Sequence, residues 1–125
     1  MRLIEQASRP ANPADARTFV LPATTRKLLG PEDGEDARLY RVDFEEGART
    51  NWHVHEDGAQ LLYGLNGRCV VVDRAGDELF LGPGDVVVVD AGEEHWHGAA
   101  PGGPGAHLAI NLGETTRWLE SSSDG

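Results

Sequence analysis

The residues with the clearest chemical potential are the five histidines, His53, His55, His95, His97 and His107, in a chain of 125 residues. His53 and His55 are separated by one residue. On a β-strand side chains alternate faces with period two, so both imidazoles point the same way and can grip one ion. His53, His55 and His95 stand at metal-ligand spacing around Gln60. The chemistry expected of such a group is that of a transition metal acting as a Lewis acid toward a bound water, hydroxyl or carbonyl.

Two further histidines lie close by. His97 follows His95 by two residues and faces the same side if the strand stays regular, where it is expected to orient a ligand or line the pocket. In Ala106-His107-Leu108-Ala109-Ile110-Asn111 the residues His107, Ala109 and Asn111 share one face. An imidazole there that is not bound to metal can move protons near neutral pH, so His107 is the expected catalytic base. Tyr40, Val42, Tyr63, His97 and Asn111 are the expected substrate-binding residues.

The elements that must position these groups read as strands. Tyr40, Val42 and Phe44 alternate with Arg41 and Asp43, the pattern of a half-buried strand over Leu39 to Phe44. Trp52–Val54, Gln60–Leu65, Arg68–Asp73, Glu78–Leu81, Asp85–Val89, His95–Gly98 and His107–Leu112 continue the series, each bounded by Gly, Pro or Asp. Asn66-Gly67 and Ala75-Gly76-Asp77 supply turns. Short, regularly spaced strands of this kind predict an antiparallel all-β sandwich or barrel.

Ahead of the barrel, residues 5–18 lack a period and predict an irregular arm. Phe19–Leu21 and Lys27–Leu29 read as short edge strands, so residues 1–36 form the arm and residues 37–120 the barrel. Thr115–Glu120 reads as a last helical turn or strand, and residues 121–125 as a disordered tail.

Two stretches extend the reading. Gly47, His53, His55, Gln60 and Gly67 stand in order, and Gly82-Pro83-Gly84-Asp85 leads through Val86–Val89 to His95. These resemble the two motifs of the cupin superfamily, whose fold is an antiparallel double-stranded β-helix, or jelly roll. The resemblance implies one divalent metal ion held by His53, His55, Gln60 and His95. Gln60 stands where that superfamily usually has a glutamate, Asp90 where it has a proline, and Ala99 where it often has an asparagine. A neutral carboxamide leaves the ion its full charge, which sharpens it as a Lewis acid. Three imidazoles and one oxygen accept Mn, Fe, Co, Ni, Zn or Cu.

The strings Gly47-Ala48-Arg49-Thr50-Asn51-Trp52-His53 and His95-Trp96-His97-Gly98-Ala99 look like those of small bacterial cupins that include the manganese-dependent hydroxynitrile lyases. That likeness implies the same metal ligands and a pocket histidine at His107. It also implies a metal-dependent lyase or isomerase acting on a carbonyl or hydroxyl substrate. Cupin dioxygenases and aromatic polyketide cyclases share the motif, as do non-catalytic metal- or ligand-binding cupins. This chain has one more residue between His55 and Gln60 than those lyases, and Tyr40 at a pocket position that is small in them.

Composition narrows the partners. A net charge of -10 repels polyphosphate backbones and anionic membrane surfaces, so a small-molecule substrate is expected rather than nucleic acid or membrane. Cys69 is alone, which rules out an internal disulfide, and its apolar strand marks it as a core residue rather than a nucleophile. No stretch has the length of a signal peptide or membrane span, giving the expectation of a cytoplasmic protein. The two arm strands would leave open sheet edges, which together with the habit of cupins predicts a homodimer.

Overall fold

A computed structural model describes residues 1–123. The strands are β1 (Ala11–Pro13), β2 (Phe19–Val20), β3 (Ala23–Leu29), β4 (Arg38–Phe44), β5 (Arg49–Thr50), β6 (His53–Val54) and β7 (Gln60–Gly67). They continue as β8 (Cys69–Asp73), β9 (Glu78–Leu81), β10 (Val86–Val89), β11 (His95–Ala99), β12 (Gly105–Asn111) and β13 (Arg117–Trp118). The expected all-β, antiparallel class is what the chain adopts.

Two sheets face each other. One runs β1-β3-β4-β12-β7-β10; the other runs β13-β6-β11-β5-β2, with β8 on the far side of β11 and β9 beyond β8. Every pairing is antiparallel. Between the sheets lie Phe44, Leu62, Leu81, Val71, Val87 and Val89, all buried. β8 is apolar from Cys69 to Val72 because both of its faces are covered. Cys69 and Val71 enter the main core, while Val70 and Val72 pack beneath Trp52 and Trp96 on the outside.

Glycine is required at the turn from β7 to β8. Gly67 has φ 60°, and a Cβ there would collide with the Pro104 carbonyl. The turn therefore closes only with a residue that lacks a side chain.

The arm is more ordered than its composition predicts. β3 covers the whole of Ala23–Leu29 and pairs with β4 on one side and β1 on the other, while Phe19 and Val20 pair with Thr50 and Arg49. β1 thus covers the free edge of β3, one of the two arm edges expected to be open, while β2 stays at the end of its sheet and β1 at the end of the other. Ala23 joins the core directly. At the other end Thr115–Glu120 resolves as the strand β13, paired to His53 and Val54. Ser122, in the expected tail, is buried and donates to the Thr50 carbonyl at 2.6 Å; the last two residues of that tail lie outside the described residues. No helix of the described residues is long and apolar enough to cross a membrane.

Candidate metal centre

β6, β7 and β11 converge at one end of the space between the sheets. His53 and His95 are opposite each other in the β6–β11 pair, with ring centroids 4.3 Å apart. The His55 ring stands 5.3 Å from that of His53 and 5.8 Å from that of His95. Among the described residues, His53, His95 and His97 form a buried group whose ligand atoms lie within 4.8 Å of one another, a three-histidine site suited to a divalent metal.

Backbone carbonyls set the orientation of three rings. Nδ1 of His53 lies 2.9 Å from the Asn51 carbonyl, and Nδ1 of His95 lies 2.9 Å from the Glu93 carbonyl. Nδ1 of His55 lies 3.4 Å from the Thr115 carbonyl and 3.1 Å from the Thr116 hydroxyl. A carbonyl can only accept, so in His53 and His95 Nδ1 carries the proton and Nε2 is left as the free lone pair; the Thr115 carbonyl favours the same tautomer in His55, whose nearer Thr116 hydroxyl can either donate or accept. His55 Nε2 is buried without a hydrogen-bond partner, as a ligand atom awaiting an ion would be.

Burial keeps these rings neutral. It pushes His95 down to about 4, assisted by the charge His55 would carry, and holds His53 and His55 below the ordinary histidine range. Neutral imidazoles are the form that binds metal.

Gln60 sharpens the picture. Its Oε1 sits 3.0 Å from Nε2 of His95, and its Nε2 donates to Asn111 Oδ1 at 2.9 Å. With the His95 proton on Nδ1, two acceptors face each other across that 3.0 Å. Such a pair repels unless a cation lies beside both, so the donor set fits a divalent ion.

His97 and His107 form a second, connected unit. His107 Nε2 and His97 Nδ1 are 3.0 Å apart, and both rings are buried. Burial lowers His107 to about 4 and holds His97 well below its usual range. His97 Nε2 and His107 Nδ1 have no hydrogen-bond partners. Which ring carries the shared proton decides whether His97 Nε2 offers a lone pair or an N–H.

The pocket beside these groups has a volume of about 270 Å³. His53, His55, Gln60 and His97 line its floor, with Tyr40, Val42 and Asn111 on its wall. His107 does not line it. Strand periodicity gives the face of His107 correctly, but the ring lies one layer deeper, behind His97 and against Phe44 at 5.3 Å. Tyr63 is a plain departure from the expected substrate-binding set. Gln60 points inward on β7, so Leu62 and Gly64 do too, and Tyr63 falls on the outer face, where it is 39% exposed.

Other pocket residues carry no sequence signal of their role: Phe19 and Thr25 from the arm, Thr50 from β5, and Thr116 and Trp118 from the end of the chain. Phe19 and Trp118 lean together at 6.4 Å across the mouth. Both belong to two-residue strands placed by pairing with Arg49–Val54 rather than by any periodic pattern. Cys69 plays no part; burial raises its thiol to about 12, where it is inert.

Relatives agree with this architecture. An (R)-mandelonitrile lyase from Granulicella tundricola is 42% identical over 87 residues, a match spanning 66% of this chain and 65% of that protein's length. A cupin-like protein from Thermotoga maritima superposes with TM-score 0.83 at 33% identity, over 90% of this chain and 86% of its own. The polyketide cyclase RemF from Streptomyces resistomycificus shares the fold, with TM-score 0.74 at 23% identity over 99% and 89% of the two chains. The cupin domain family matches residues 40–119. With two antiparallel sheets closing over clustered histidines and that match covering most of its length, the chain is a member of the cupin domain family.

Proposed function

We propose that the protein is a metal-dependent lyase acting on a small carbonyl or hydroxyl compound, in the manner of a hydroxynitrile lyase. His53, His55, His95 and Gln60 are the residues that would hold the ion; His97, which stands in the close group with His53 and His95, is assigned to proton transfer because its Nδ1 meets His107 instead of a backbone carbonyl. The observation that carries this reading is the common arrangement of the three histidines, each with Nδ1 against a backbone carbonyl, beside an amide oxygen that faces His95 Nε2. Likeness to an enzyme named (R)-mandelonitrile lyase supports the reaction class.

A divalent ion bound there supplies Lewis acidity toward a substrate oxygen. The protein's own residues do the rest. Gln60, being neutral, cancels none of the ion's charge. His97 Nε2, on the pocket floor, would take the proton of a substrate hydroxyl when its Nδ1–H is donated to His107 Nε2; the C–CN bond then breaks to leave a carbonyl, and the proton passes from His97 to the departing cyanide as HCN. Tyr40 and Val42 narrow the space, while Phe19 and Trp118 give it an aromatic mouth suited to a flat substituent.

The test is cleavage of aryl cyanohydrins by protein of known metal content, with and without oxygen. Release of aldehyde and cyanide at equal rates in both conditions is expected. Turnover that consumes oxygen, or none by fully metallated protein on a panel of cyanohydrins and hydroxy-carbonyl compounds, would sink the proposal.

A further inference from the structure

Gln60 and Asn111 are direct cross-strand partners in the β7–β12 pair. Gln60 is 3% exposed, and its carboxamide has two chemically opposite ends. The nitrogen end donates to Asn111 Oδ1 at 2.9 Å, so the oxygen end faces His95 Nε2 at 3.0 Å. A half-turn of the amide would reverse this. Nε2 would then donate to His95 Nε2, replacing a metal-binding pair by a closed hydrogen bond that occupies the His95 lone pair. The Gln60 side chain has no preference of its own; with Asn111 presenting Oδ1, the nitrogen end of Gln60 turns to Asn111 and the oxygen end to His95.

We infer that Asn111 is a positioning residue, fixing the Gln60 carboxamide oxygen-first toward the metal. This rests on the reading of Gln60 as a metal donor. It assigns Asn111 a role different from substrate contact. Its leverage comes from the neutrality of Gln60: a glutamate presents oxygen whichever way it turns, whereas a glutamine must be told which end to present.

Co²⁺ alone is the probe, added to the full chain and titrated against a chromogenic chelator, with the visible ligand-field spectrum recorded in parallel. Asn111→Leu, which cannot accept, is expected to weaken Co²⁺ binding roughly 10- to 100-fold and to shift the spectrum toward that of Gln60→Leu. Asn111→Asp, which still accepts, is expected to bind at least as tightly as the parent. On the Gln60→Leu background, Asn111→Leu is expected to cost nothing further. The proposal is overturned if Asn111→Asp weakens binding as much as Asn111→Leu, or if Asn111→Leu is equally costly without Gln60. Should Gln60→Leu itself leave affinity and spectrum unchanged, the donor reading of Gln60 fails instead.

A second measurement does not depend on the leucine variant folding. In Zn²⁺-loaded protein the side-chain amide resonance of Gln60, identified by its loss in Gln60→Leu, is expected to move downfield in Asn111→Asp as its hydrogen bond becomes charge-assisted. An unmoved resonance overturns the proposal.

Discussion

Trp118 leans over His53, with ring centroids 4.7 Å apart and planes inclined at 39°. The last strand of the barrel thereby sets an indole against an imidazole of the candidate metal centre. Trp52 and Trp96 instead pack over Val70 and Val72, on the outside of the sheet. Quenching of tryptophan emission by bound Co²⁺ or Cu²⁺ should therefore come mainly from Trp118. The Trp118→Phe variant is expected to lose most of that quenching while keeping its metal stoichiometry; undiminished quenching would contradict the arrangement.

His55 and His97 make different demands on the metal. The Nδ1 of His55 is tied to the Thr115 carbonyl, as His53 and His95 are tied to carbonyls, whereas the Nδ1 of His97 meets another imidazole. His55→Ala is expected to lower metal affinity by about an order of magnitude or more. His97→Ala should retain metal and lose turnover. Elemental analysis of the two purified variants checks this, and stoichiometric metal in His55→Ala would remove His55 from the ligand set.

Acid should unfold the metal-free protein early. His95 and His107 are each pushed by burial from 6.5 to about 4, so between those values the unfolded chain binds more protons than the folded one. Stability is complete above pH 6.5 and is lost as pH falls toward 4. Thermal unfolding with a chelator present is expected to drop by roughly 10 °C or more across that window. Bound metal should raise the midpoint at neutral pH, because an ion that binds only the folded state stabilises it. A midpoint flat from pH 6.5 to 4.5 would mean these rings are not desolvated.

Gly98 lies where β11 meets β5. It pairs with Arg49, and a Cβ there would run into the Ala48 carbonyl and the Arg49 backbone. Gly98→Ala is expected to destabilise the protein by about 1–3 kcal/mol, read from denaturant unfolding. Because the clash falls three residues from His95 on the same strand, weaker metal binding should accompany it.

Much of the centre is legible in the chain because period-two alternation and glycine turns are local. The shared faces of His53-x-His55 and of His95-x-His97 follow from parity, the inward Gln60 is what the cupin resemblance implies, and parity applied from Gln60 turns Tyr63 outward. What parity does not give is depth. His107 shares the face of Ala109 and Asn111, yet His97 stands between it and the pocket. Nor does it give the partners of very short strands. Phe19 and Trp118 reach the mouth because Arg49–Val54 offers both ends of the chain an edge to pair with, a relation between residues far apart in sequence.

Two pocket residues, Phe19 and Thr25, come from ahead of residue 40, where the family match begins. The candidate metal donors all lie within the matched stretch. The molecule therefore separates, along its length, the part that grips an ion from part of the surface that meets a guest. Side-chain changes at Phe19 and Thr25 would reshape the entrance without replacing a donor.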